Sequence, residues 1–149
     1  MTDHSATLLA QACTDALFNR DIASQRMGIN VLTSGPGTAE VSMLVREDMI
    51  QGVGTCHGGY LFALADSAFA MACNTYNETT VALGCSIDYI APGFQGDTLK
   101  AVAAEQSRGG RTGNYDVRIE NQRGELLALF HGKSYKVRGT VLAQENAND

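Results

Sequence analysis

The chain has 149 residues, 44% of them hydrophobic and 18% charged, which suits one folded domain with a sizeable core and excludes a disordered protein. A formal net charge of −5 excludes broad nucleic-acid binding. Cys13, Cys56, Cys73 and Cys85 form no C-x-x-C pair and no disulfide spacing, and with three histidines a zinc site would need an unusual ligand set.

No basic-then-apolar signal pattern opens the chain, so with its reduced cysteines it reads as cytoplasmic and metal-free. Ser5 to Asn19 places Leu8, Leu9, Ala12, Ala16 and Leu17 at near-helical spacing. This predicts an amphipathic helix within a helical lead-in over residues 1–26. Ser34-Gly35-Pro36-Gly37 predicts a turn, and Thr38 to Val45 alternates as a strand. A polar loop from Asp48 to Thr55 then feeds an apolar helix from about His57 to Tyr76. That run is broken by Asp66 and too weakly hydrophobic to span a bilayer.

Beyond the helix, Val81, Leu83, Cys85, Ile87 and Tyr89 alternate at period two until Pro92-Gly93. Leu99 to Glu105 predicts a second strand and Arg108-Gly109-Gly110-Arg111-Thr112-Gly113 a basic, flexible turn. Tyr115, Val117 and Ile119 form a third strand, Asn121-Gln122-Arg123-Gly124 turns it back, and Leu126 to Val137 supplies a fourth. Residues 139–149 read as a frayed tail. The result is a single domain over residues 1–149, an α+β arrangement with one long helix against an antiparallel sheet. A helix this apolar needs cover nearly all round, from the sheet and from a partner subunit.

The chemistry concentrates at Cys56-His57-Gly58-Gly59 and at Asp66, the only carboxylate in the apolar helix. The glycines let another group approach the first turn, where unpaired N–H groups attract a polarised carbonyl oxygen. A lone carboxylate among Leu61, Phe62, Leu64, Ala65, Phe69 and Ala70 is costly to bury unless paired or at work. Together they point to acyl chemistry. Gly58 and Asp66 lie about 12 Å apart along one helix, whereas a nucleophile or base must come within about 3 Å of its reacting atom. If both serve one reaction they come from different chains, which predicts a shared site at an antiparallel dimer interface.

Simpler roles exist for each residue. Asp66 could be a structural carboxylate, His57 a helix cap, and Gly58-Gly59 a close-packing device. Cys56 reads as a small buried side chain, and Ser67 sits inside the helix with no nucleophile elbow around it. Charge is uneven: residues 1–96 hold three Lys/Arg against nine Asp/Glu, and residues 97–138 hold eight against five. The basic excess suits either solvated strand faces or a phosphorylated ligand.

Gln51, His57-Gly58-Gly59, Asp66, Ile87-Asp88-Tyr89-Ile90-Ala91-Pro92-Gly93, Gly96-Asp97-Thr98-Leu99 and Gly113-Asn114-Tyr115-Asp116-Val117 together resemble the hotdog-fold acyl-CoA thioesterases. The match is to their phenylacetic-acid-degradation (PaaI-type) branch and covers roughly Met27 to Thr140. The resemblance implies a hotdog fold, with a curved antiparallel sheet around the helix, and a homodimer assembling to a homotetramer. It implies that Gly58 N–H polarises the thioester carbonyl, that Asp66 of the neighbouring subunit attacks it or activates water, and that His57 and Gln51 position the reactants. The branch commonly has asparagine where this chain has Gln51. It also implies a serine or threonine near the start of the next strand; Thr79, Thr80 and Ser86 lie there, and Ala82 stands at the implied position.

The substrate implied is phenylacetyl-CoA or a ring-hydroxylated relative, with coenzyme A entering only as part of the substrate. No other cofactor, nucleic acid or membrane is implied. Gly59, Thr80, Arg108, Gly109, Arg111, Thr112, Lys133 and Lys136 are the candidates for substrate and CoA contacts. Two rival readings remain: a hotdog 3-hydroxyacyl-thioester dehydratase or hydratase, with His57 as base beside Asp66, and a non-catalytic acyl-CoA-binding module. A purely structural role for the helix is a third.

Overall fold

Beyond Gly58-Gly59, apolar residues with many good helix formers run without a proline to Cys73, and α3 (Gly58–Cys73) occupies the span in a computed structural model that describes residues 2–143. It follows two lead-in helices, α1 (Asp3–Arg20) and α2 (Ile22–Arg26), and two strands, β1 (Asn30–Gly35) and β2 (Thr38–Leu44). It precedes β3 (Thr80–Tyr89), β4 (Thr98–Gly109), β5 (Thr112–Glu120) and β6 (Leu126–Lys136). The strands form one antiparallel sheet in the order β1-β2-β4-β5-β6-β3. Helix α3 packs against all six strands, the α+β hotdog arrangement.

Leu64, Ala65, Ala68 and Ala72 on α3 are fully buried, as a helix covered on most sides requires. Phe69 meets Tyr115 and Phe130 with ring centroids 5.5 and 5.9 Å away. Gly132 on β6 makes room for it, because a Cβ there would lie 2.8 Å from three atoms of the Phe69 ring. The helix ends at Cys73, three residues before the sequence reading, where Asn74 takes over its hydrogen bonding. The Asn74 amide donates to the carbonyls of Ala70 (2.7 Å) and Thr80 (3.0 Å) and accepts from Thr80 N–H. Helix α3 therefore runs antiparallel beside β3, with its first turn at the Tyr89 end.

Several sequence expectations need correction. The sequence predicts no strand before Thr38, whereas β1 forms one edge of the sheet, mostly polar and irregular between Val31 and Thr33. The buried face of α1 is Ala10, Cys13 and Thr14, while Leu8 and Ala12 face solvent. The basic turn shrinks to Gly110-Arg111, since Gly109 pairs with Thr112 across a two-residue hairpin with Gly110 at φ +58°. Arg108 and Thr112 are thus strand residues. Of the proposed frayed tail, residues 144–149 lie outside the described residues. Residues 139–143 are tied down: Gly139 accepts from Thr79 N–H, Arg20 donates to the Val141 carbonyl, and Leu142 N–H donates to Asn77.

The alternation of Val81, Leu83, Cys85, Ile87 and Tyr89 also fails to define one face. The β3–β6 register shifts between Ala82 and Gly84, and a bulge there reverses the facing of the strand. Thr80 and Ala82 pair with Lys136 and Ser134, and Cys85 and Ile87 with Gly132 and Phe130, so these four share the face that looks toward α3. Val81 and Leu83 are left 47% and 59% exposed.

Gly96-Asp97-Thr98-Leu99 leads into β4. Asp97 accepts from Phe94 N–H and from the Gln122 amide, both at 2.9 Å. The Gln122 hydrogen bond, then Phe94 and nearby Arg123, hold its carboxyl below the usual range against the opposing effect of burial.

Candidate active site

The first N–H groups of an α-helix have no partner inside it. In α3, Tyr60 N–H donates to the His57 carbonyl at 2.9 Å, and Leu61 N–H reaches the same oxygen at 3.4 Å. Gly59 N–H donates to His57 Nδ1 at 2.8 Å. Of these groups only Gly58 N–H has no acceptor among the described residues. It lies at the positive end of the helix dipole.

His57 is the N-cap of α3. A backbone N–H can only donate, so Nδ1 must be the acceptor, and the proton of the neutral ring sits on Nε2. The exposed imidazole is therefore a donor with no lone pair to spare. That arrangement disfavours the dehydratase reading, which needs His57 as a base.

Gly58 opens onto a cavity of about 420 Å³ shared with Gln51, Thr55, Leu61 and Tyr89. The Gln51 amide donates to Thr55 Oγ1 at 3.0 Å and has a second N–H to offer. Cys56 borders the same cavity. Burial, with Asp97 adding a smaller push, raises its thiol to about 11, so it carries no thiolate at neutral pH. Gly59 is glycine for the cap's sake, since a Cβ there would come within 3.0 Å of His57 Nδ1.

Asp66 lies roughly 12 Å further along α3, in a separate cleft of about 340 Å³ with Leu17, Asp21, Phe69, Thr80 and Ala82. Its half-buried carboxyl has no hydrogen-bond donor among the described residues. Burial first, and the neighbouring Asp21 second, push its pKa above the ordinary aspartate value. Asp21 itself is engaged by Ser24, through N–H at 2.9 Å and Oγ at 2.5 Å. Thr80 faces the cleft, but its hydroxyl donates to the Glu78 carbonyl at 2.8 Å. Ser67 donates to the Ala63 carbonyl at 2.7 Å, away from His57. Cys73, in the same cleft, is pushed up to about 12, chiefly by burial.

The structure thus joins Gly58, Gln51 and His57 at one end of α3 and keeps Asp66 apart. The CoA candidates divide further. Arg108 lies 3.5 Å over the Tyr76 ring and faces Glu105 at 3.4 Å and Glu78 at 3.7 Å. Lys136 pairs with Glu78 at 3.0 Å. Arg111 and Thr112 border the same shallow hollow, and Arg111 makes no ion pair among the described residues. Gly109 ends β4 beside them. Lys133 lies on the outer face of the sheet, near Gly84, Ser86 and His131.

Tyr89, the last residue of β3, donates its hydroxyl to the Gly58 carbonyl at 3.0 Å. A Cβ on Gly58 would lie 3.0 Å from both Cζ and Oη of that ring. The residue sits in the Ile87–Gly93 stretch of the resemblance, yet nothing in the sequence pairs it with Gly58.

Among the described residues no group of three or more His, Cys, Asp or Glu is placed to hold a metal ion, and no helix is long and apolar enough to cross a membrane.

Residues 53–128 match the Thioesterase superfamily. The chain is 43% identical over 129 residues to the acyl-coenzyme A thioesterase PaaI of Escherichia coli K12, covering 87% of this chain and 92% of that protein. The solved structure of the E. coli PaaI protein from the phenylacetic acid degradation operon superposes with a TM-score of 0.89 at 42% identity, over 90% of this chain and 97% of that one. A hypothetical thioesterase from Streptococcus pneumoniae, solved with coenzyme A, is similar at a TM-score of 0.76 and 25% identity, over 85% and 96% of the two chains.

Proposed function

This acyl-CoA thioesterase belongs to the Thioesterase superfamily, and we propose that it hydrolyses phenylacetyl-CoA or a ring-hydroxylated relative at a site built by two subunits. The observation that carries this reading is the split itself. One end of α3 offers a single unclaimed N–H beside Gln51, and the unpaired carboxylate opens elsewhere on the same helix. Strand β3 is an edge of the sheet, with Gly58 at its Tyr89 end and the Asp66 cleft at its Thr80 end. A second copy pairing antiparallel along that edge brings the Gly58 end of one chain to the Asp66 end of the other. Val81, Leu83, Tyr89 and Ile90, each about half exposed, supply apolar surface for the contact.

In this arrangement the thioester oxygen accepts from Gly58 N–H, with His57 Nε2–H and the free Gln51 N–H as further donors. Sulfur conjugates weakly with the carbonyl, so thiolate departs readily. The partner's Asp66 either attacks the carbonyl carbon, expelling CoA thiolate and leaving an anhydride that water opens, or takes a proton from the water that attacks. Both routes give the free acid and CoA. Arg111, with Thr112 beside it, is the group we assign to a CoA phosphate, because Arg108 and Lys136 already face carboxylates; Lys133 is set apart on the outer face. An open groove there, lined by Val102, Ala104 and Leu129, is where two dimers would join into a tetramer.

Free-thiol release from phenylacetyl, hydroxyphenylacetyl, benzoyl, hexanoyl and palmitoyl CoA tests the substrate assignment. The aryl esters are expected to exceed hexanoyl and palmitoyl CoA by about tenfold or more in kcat/KM. Faster turnover of palmitoyl CoA would overturn the aryl assignment. Stable CoA-ester binding without turnover of any ester would favour the binding-module reading.

A further inference from the structure

We propose that Tyr89 is a positioning residue of this active site, orienting the Gly58–Gly59 peptide and, through it, the His57 imidazole; the inference rests on the thioesterase reading above. The Tyr89 hydroxyl donates to the Gly58 carbonyl at 3.0 Å. The N–H of that same peptide belongs to Gly59 and donates to His57 Nδ1 at 2.8 Å. A peptide whose carbonyl accepts a hydrogen bond is more polarised and donates better from its N–H. The chain Tyr89 Oη–H, Gly58 C=O, Gly59 N–H, His57 Nδ1 therefore fixes the tautomer that keeps the proton on Nε2.

The ring acts sterically as well. A Cβ on Gly58 would lie 3.0 Å from the ring's Cζ and Oη, so the hydroxyl-bearing end of the ring closes one side of the first turn. Tyr89 is itself held firmly. Its backbone pairs with Ala128 in the β3–β6 ladder, and the next two N–H groups, of Ile90 and Ala91, both donate to the Leu127 carbonyl at 2.8 and 3.2 Å. Within the single chain 53% of its surface is exposed, so the core does not account for its placement; its ring borders the edge assigned above to the second subunit, and its hydroxyl has its own partner on α3. The hydroxyl serves the helix end.

Tyr89→Phe removes the hydroxyl and keeps the ring. The expected result is a fall in kcat of about tenfold with KM within about twofold of wild type and an unchanged thermal midpoint. A merely structural hydroxyl would lower the midpoint and leave kcat alone. A fall in kcat below about threefold, or a loss carried by KM, would overturn the proposal. The wild-type protein provides a check that needs no variant. Long-range ¹H–¹⁵N spectra of the three histidines, with His57 assigned by its loss in His57→Gln, should show the neutral ring protonated on Nε2. Protonation on Nδ1 would also overturn it. Asp66→Asn assayed alongside separates the two levels. If that variant keeps its turnover, the underlying reading fails; if it loses turnover while Tyr89→Phe matches wild type, only the role of Tyr89 fails.

Discussion

Replacing Asp66 with asparagine is expected to lower kcat/KM on every acyl-CoA by roughly 10²–10⁴-fold, the range for loss of a positioned acid–base group. The fold should survive. The carboxyl is half-buried with no donor among the described residues, and burial and Asp21 raise its pKa. A group whose pKa is raised on folding contributes stability that is fully present below its unfolded pKa and is lost as pH rises through the folded one. At neutral pH the neutral amide is therefore no worse for the folded chain, and the variant's thermal midpoint should not fall below wild type. Because the reaction needs the ionised form, the acidic limb of the kcat/KM profile should lie above the ordinary aspartate value. Asp21→Asn, which keeps an N-cap side chain for α2, should shift that limb to lower pH. An Asp66→Asn enzyme within about threefold of wild type would remove the residue from the chemistry.

Gly58→Ala is expected to cost about 10²–10³ in kcat, the usual price of one oxyanion donor. The N–H cannot be deleted, but a methyl group can displace it. The new Cβ would stand 3.0 Å from Cζ and Oη of Tyr89, so the ring tip and the helix start must part by a few tenths of an ångström, which turns Gly58 N–H away from its present aim. Gly58 sits at an N-terminus, and the rest of α3 is held by its buried face, so the variant should fold. Steady-state kinetics beside a melting curve separate the two effects. Wild-type kcat with only a lowered midpoint would make Gly58 a packing residue.

The central helix and the strands from Thr38 onward were legible because periodicity and helix propensity act locally. Strand β1 was not, since its polar residues pair only at an edge. The bulge between Ala82 and Gly84 was invisible for a different reason. Val81 to Tyr89 alternate without a break in sequence, and only pairing with β6 reveals that the facing reverses. The Gly58 and Asp66 half-sites were readable from an isolated carboxylate and a His-Gly-Gly helix start. Tyr89 was not, because its hydrogen bond spans 31 positions. The basic residues between Arg108 and Lys136 looked like one cluster. Lys133 and Lys136, an odd number of positions apart on a strand, face opposite sides, and Glu78 neutralises part of the rest.

The shared site is tested most directly by mixing two inactive proteins. Asp66→Asn and Gly58→Ala chains are unfolded and refolded together in equal amounts, with hybrids verified by native mass spectrometry. A hybrid dimer holds one site with Gly58 from the first chain and Asp66 from the second, both intact, and one site lacking both. Random reassortment makes about half the dimers hybrid, so activity should return to roughly a quarter of the wild-type level. Verified hybrids no more active than either parent would contradict the account and place Gly58 and Asp66 outside any common site.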